Sequence, residues 1–182
     1  LSMGGVLTAL IAAKFQPEKI FLCAPAFIAK DNRLKFTPFL KFFIKKASTV
    51  KKTYENDPEY GRAIADYNGI EYLEKSADLY KLQKLAIKNM IFIKSQTLTI
   101  LSKADNLVSF KVKDLMDKNL RTQNEYLILE KSSHVVTNDI EKELVKAGIP
   151  PKDAREMSTQ RIFGGLQGAY GTGIKELINA NL

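Results

Sequence analysis

The strongest constraint on the fold is a change of hydrophobic period along the chain. Residues 3–15 carry Val6, Leu7, Leu10 and Ile11 at helical spacing, with Pro17 just beyond. Lys19 to Ala24 is a short apolar run closed by Pro25, the pattern of a buried strand. Thr97–Leu101 and Tyr126–Leu129 read as further strands, with a helix expected over 108–119 and another opening over Asp139–Ala147. Such alternation argues for an α/β fold, a parallel sheet covered by helices. Residues 26–95 break the rhythm. Helices are expected near 37–47 and 76–93, the second with Leu79, Leu82, Leu85, Ala86 and Met90 near one face. A stretch that long is more than a crossover, so it reads as a cap over the strand ends.

With 182 residues, 45% hydrophobic and 26% charged, the composition fits one soluble globular domain. No apolar run approaches the ~18 residues that span a bilayer. Cys23 is the one cysteine, which excludes an internal disulfide and a Cys-built metal site and makes a cytoplasmic location the expectation. The net charge of +8 invites a nucleic-acid reading, but its distribution argues against one. Residues 30–52 hold Lys30, Arg33, Lys35, Lys41, Lys45, Lys46, Lys51 and Lys52 against Asp31 alone, interleaved with Phe36, Phe39, Phe42 and Phe43. Such a basic, aromatic segment suits an anionic lipid surface, or is simply a solvated lysine-rich face.

Three side chains carry a chemical signal. Ser2 lies in Leu1-Ser2-Met3-Gly4-Gly5, ahead of the first helix. A serine at the apex of a strand-to-helix turn needs small residues two before and two after it, so that the backbones can pass. Asp105 follows the strand ending near Leu101, and His134, the only histidine, follows the strand ending at Leu129. All three therefore fall at carboxyl ends of parallel strands, the edge where open α/β sheets bind ligands. A serine becomes a nucleophile when a base takes its proton, histidine can take it, and a carboxylate behind the histidine fixes its tautomer. The Met3 backbone N–H would be one oxyanion donor. Each residue has a plainer reading. Ser2 could cap a helix, Asp105 could close a turn, and His134 could be structural. Asp114 and Asp117 compete with Asp105 but lie within a helix.

Residues 1 to about 144 resemble the α/β-hydrolases of the carboxylesterase and monoacylglycerol-lipase type. The matching pieces are Leu-Ser-Met-Gly-Gly-Val at 1–6, Cys-Ala-Pro at 23–25, Lys-Ala-Asp-Asn-Leu-Val at 103–108 and Ser-Ser-His-Val-Val-Thr-Asn-Asp at 132–139. The resemblance implies Ser2 as nucleophile, Asp105 as acid and His134 as base, acting on small acyl esters or monoacylglycerols without a cofactor or metal. It implies a helical cap over 26–95, which would receive the acyl chain or touch a lipid surface. It also places the family's first strands, its oxyanion loop and the elbow's leading glycine ahead of residue 1. The expectation is thus the carboxyl-terminal part of the fold, inactive by itself.

Residues 146–182 form the expected second segment, after the break at Gly148-Ile149-Pro150-Pro151. Ala-Gly-Ile-Pro-Pro-Lys-Asp-Ala-Arg-Glu-Met-Ser and Arg161-Ile-Phe-Gly-Gly-Leu-Gln-Gly-Ala-Tyr-Gly-Thr-Gly173 resemble a segment of the large subunit of cobaltochelatase and magnesium chelatase. That family inserts a metal into a tetrapyrrole, which gives an alternative reading of the chain as a chelatase fragment. A basic, non-enzymatic binding module is a third reading. The glycine-rich run lacks the Gly-Lys-Ser/Thr of a Walker loop, so the plainer reading is a helical or glycine-rich tail.

Overall fold

Strands buried on both faces by flanking helices need the apolar runs seen at 19–24 and 97–101, and the computed structural model pairs them as such. It describes residues 1–49 and 69–148. Helix α1 (Met3–Phe15) leads into strand β1 (Lys19–Cys23), and β4 (Gln96–Ser102), α4 (Val112–Asn119), β5 (Asn124–Leu129) and α5 (Lys142–Gly148) follow the cap. The order across the sheet is β1-β4-β5, all parallel. Cys23 stands opposite Ile100 and Ser102 opposite Leu129, which brings the three carboxyl ends to one edge. Leu1–Val145 clusters as one compact unit and Lys146–Leu182 as another. Beyond Gly148 the chelatase-like segment lies outside the described residues.

Helix α1 ends where Gln16 turns left-handed (φ 54, ψ 50), with Pro17 after it. Of the apolar residues at helical spacing Val6 is buried, with Gly5, Ala9 and Ala12, whereas Ile11 is exposed. The helix is apolar on nearly every side, so periodicity alone could not choose its inner face. Close packing chose the small residues: a Cβ on Gly5 would lie 2.8 Å from the Pro25 Cβ. Gly4, two residues after Ser2, meets nothing within 4 Å, so the tight position here is the third after the serine.

The cap, expected to be helical over 26–95, also contains strands among its described residues. A helix over 37–47 was expected. Instead a 3-10 turn at Asn32–Phe36 runs into α2 (Thr37–Leu40), which stops after one turn. Strand β2 (Lys46–Ser48) then pairs antiparallel with β3 (Ile70–Tyr72). Phe36, Phe39, Phe42 and Phe43 are exposed, so burial of an apolar face does not extend the helix. Helix α3 (Leu73–Asn89) buries Leu73, Ala77, Gln83 and Ala86, while Leu79, Leu82 and Leu85 are half-buried. It packs on both α1 and α2. Helix α4 begins at Val112 rather than 108, because 105–111 is spent in turns that tie this stretch to Ile28 and Lys30. The core gathers Val6, Leu22, Phe27, Met90, Leu101 and Met116. No described helix is long and apolar enough to cross a membrane.

Candidate active site

The turn into α1 is built on an unfavourable backbone. Ser2 has φ 55 and ψ −127, a region that L residues enter only when the surroundings impose it. Its N–H donates to the Cys23 carbonyl at 3.0 Å, and its own carbonyl accepts from Gly5 (2.9 Å) and Ala26 (3.1 Å). These bonds anchor Ser2 to the carboxyl end of β1, where Ala24 also has positive φ (40). The Ser2 side chain makes no capping hydrogen bond to α1. The helix-cap reading of Ser2 therefore fails, since a cap works through its side-chain oxygen. The N–H of Met3, in the first helical turn, has no intrahelical acceptor.

Asp105 and His134 meet directly. Asp105 is 2% exposed and His134 8%, and His134 Nδ1 lies 2.9 Å from Asp105 Oδ2. The other oxygen, Oδ1, accepts the N–H groups of Leu107 (2.8 Å) and Val108 (2.9 Å). Burial, the largest influence, pushes the Asp105 carboxyl up. The hydrogen bond and charge of His134 and the two N–H groups outweigh it and hold the carboxyl below its ordinary value. An ionised carboxylate only accepts, so Nδ1 must carry a proton, and in the neutral ring the lone pair lies on Nε2. No described residue hydrogen-bonds Nε2, and no hydrogen bond joins it to the Ser2 hydroxyl. Such contacts are often long before substrate binds.

Of the competing acids, Asp117 is engaged elsewhere. Asp117 accepts the Tyr126 hydroxyl at 2.6 Å and Lys113 Nζ at 2.7 Å, on the exposed side of α4. Burial pushes the Cys23 thiol up, so it stays protonated and is no rival nucleophile. Among the described residues, no group of three or more His, Cys, Asp or Glu side chains is placed to hold a metal ion.

Sequence reasoning overlooked the residues that hold the histidine loop. Glu141 accepts the N–H groups of Glu130 (3.1 Å), Lys131 (2.9 Å) and Ser132 (2.7 Å), and the Ser132 hydroxyl (2.7 Å). Burial raises its pKa, but these bonds pull it from 4.5 to about 2. Asp139 accepts the N–H of Ser133 at 2.7 Å and its hydroxyl. Ser102, the last residue of β4, donates its hydroxyl to the Ser132 carbonyl, tying the aspartate loop to the histidine loop. Asp139 and the Ser132–Ser133 pair flank His134 in sequence, and two hydroxyl residues followed by two acids was the signal available.

Three parallel strands with covering helices, a cap after the first of them, and these residues at the strand ends define an α/β-hydrolase fold. The chain is similar to the metagenome-derived lipolytic enzymes LipS and LipT (22% identity, TM-score 0.64, covering 80% of this chain and 59% of that one). It is similar also to Paleococcus ferrophilus monoacylglycerol lipase (14%, 0.59, 80% and 63%). A thermostable carboxyl esterase from Bacillus coagulans, solved with glycerol, gives 14%, 0.57, 81% and 60%. At these identities the likeness is one of fold, and the chain spans about three fifths of each relative's length. No protein-family model matches the chain, and no curated protein matches it significantly. Nothing in these comparisons speaks for the chelatase resemblance of 146–182.

Proposed function

We propose that this chain carries the reacting groups of a serine hydrolase of carboxylic esters, with Ser2 as nucleophile, His134 as base and Asp105 as its orienting acid. The observation that carries the reading is the strained, non-capping Ser2 beside β1 on the sheet edge that also holds the buried Asp105–His134 pair. Strain of this kind is kept where function requires it. The fold neighbours, described as lipolytic enzymes, a monoacylglycerol lipase and a carboxyl esterase, favour small acyl esters or monoacylglycerols as substrates.

In this reading His134 Nε2 takes the Ser2 hydroxyl proton as Oγ bonds to the acyl carbon. The carbonyl pair moves to oxygen, which the Met3 N–H stabilises. The intermediate collapses, the carbon–oxygen bond to the alcohol breaks, and His134 returns the proton to the departing alkoxide. Water then repeats the sequence on the acyl-serine, releasing the acid. Asp105 stabilises the imidazolium at each step. Met3 supplies one oxyanion donor, and in this fold the second comes from a loop ahead of the elbow strand. A polypeptide limited to these 182 residues is therefore expected to turn over about 10²–10³-fold more slowly than a protein with both donors.

The test is hydrolysis of p-nitrophenyl butyrate by the protein and its variants. Ser2→Ala and His134→Ala are expected to lower kcat by at least about 10³-fold, and Asp105→Asn by about 10⁴-fold through the wrong tautomer. Full activity in Ser2→Ala would refute the reading.

A further inference from the structure

A buried side chain of helix α3 reaches the turn that holds Ser2. The buried residues of α3 include Leu73, Ala77 and Ala86, which are apolar, and Gln83, which is polar and 4% exposed. A primary amide in such a place lowers stability unless its polar atoms are bonded. Gln83 Nε2 donates to the Ala26 carbonyl at 2.6 Å, across 57 residues of sequence. A carbonyl only accepts, so the nitrogen end of the amide must face it.

On its other side Ala26 holds Ser2. Its N–H donates to the Ser2 carbonyl at 3.1 Å, one of the three backbone bonds that keep Ser2 at φ 55. The Ser2 bond to Cys23 draws on the end of β1, and the bond from Gly5 closes the first turn of α1. The bond from Ala26 has neither a strand nor a helix behind it. The chain around it is bent: Ala24 has φ 40, and the Phe27 N–H closes a turn on the Pro25 carbonyl at 2.8 Å. Such a bend persists where its surroundings fix it. The Ala24 N–H is tied to the Ile100 carbonyl at 2.8 Å, and Phe27 is buried in the core. Gln83 supplies the anchor on Ala26 itself.

We propose that Gln83 is a positioning residue for Ser2. By holding the Ala26 carbonyl it keeps the Ala26 N–H on the Ser2 carbonyl, and so keeps the Ser2 backbone in the conformation from which Oγ attacks. Gln83 acts through Ala26 and not on the substrate. The proposal rests on the hydrolase reading for its effect on rate, and on the Gln83–Ala26–Ser2 bonds alone for its effect on structure. Misplacing a reacting atom by about 1 Å lowers a rate about 100-fold, so a smaller drift of the Ser2 turn is expected to lower it at least about tenfold.

Amide hydrogen exchange tests the hold without reference to activity. In the parent protein the Ala26 N–H is expected to be protected. Gln83→Met keeps the length of the side chain and removes the donor, and Gln83→Leu removes it with a branched side chain. Gln83 borders a cavity of about 240 Å³, so both replacements have room. In either variant Ala26 is expected to exchange about tenfold faster, while the amides of β4, the central strand, keep the parent rate. With p-nitrophenyl butyrate, kcat is expected to fall at least about tenfold, with KM within about twofold of the parent. A side chain that served only the packing of α3 would speed exchange in β4 and Ala26 alike and leave kcat per folded molecule unchanged. The proposal is overturned if Ala26 is unprotected in the parent, or if its exchange in the variants rises no more than that of β4. It is also overturned if both variants keep the parent kcat. Full activity in Ser2→Ala would instead refute the hydrolase reading, and the effect of Gln83 on rate with it, while the Ala26 exchange rates still decide the hold.

Discussion

Ser2 holds a backbone conformation, φ 55 and ψ −127, that a residue with a side chain keeps at an expense of about 1–3 kcal/mol. Three backbone hydrogen bonds, to Cys23, Gly5 and Ala26, over-determine it. Glycine occupies that region with little strain. Ser2→Gly is therefore expected to raise stability by up to about 1 kcal/mol in urea unfolding, after allowing for glycine's freer unfolded chain. It is expected to abolish ester hydrolysis at the same time. A Ser2→Gly protein less stable than the parent would show that the turn is not strained. Sequence alone could not separate an elbow from a helix cap at this position. Both place a serine before a helix, and the distinction lies in φ and in the missing side-chain bond. Asp105 and His134 were legible because each follows a strand, and strand ends of a parallel sheet converge. Their 2.9 Å contact was beyond sequence reasoning, as were Glu141 and Ser102, whose partners lie nine to thirty residues away.

At the scale of elements, the histidine loop depends on the turn that enters α5. Glu141 gathers three backbone N–H groups and a hydroxyl from residues 130–132, and its pKa falls from 4.5 to about 2. A carboxyl depressed in the folded state stabilises it fully above its unfolded pKa, and the contribution is lost as pH falls toward the folded one. The window is thus pH 4.5 down to about 2. Glu141→Gln is expected to destabilise the protein by about 1–3 kcal/mol at neutral pH. The deficit should shrink across that window, as followed by denaturant unfolding at a series of pH values. A deficit independent of pH would remove the carboxylate from the account. The parallel strands were readable because each is a short apolar run bounded by breakers. The inner face of α1 was not, because small residues such as Ala9 and Ala12 take the buried positions, and that of α3 was legible in part, with Ala86 and Met90 buried as their spacing implies while Ala77 and Gln83 are buried in addition. In the cap, Phe36, Phe39 and Phe43 keep helical spacing but face water, so no buried face carries α2 beyond Leu40.

Across the whole molecule, the described residues build one edge of an α/β-hydrolase sheet with a cap, spanning about three fifths of comparable enzymes. Among the described residues no strand pairs the outer side of β1, although Ser2 covers its last carbonyl. Ser2, Asp105 and His134 lie along one sheet edge, whereas the aromatic and basic face belongs to the cap. The most direct measurement of the central claim is the site and rate of reaction with a fluorophosphonate. Peptide mapping by mass spectrometry is expected to find the adduct on Ser2, formed at least about 10²-fold more slowly in His134→Ala. An adduct on another serine, or equal rates with and without His134, would contradict the assignment of Ser2 as the activated nucleophile.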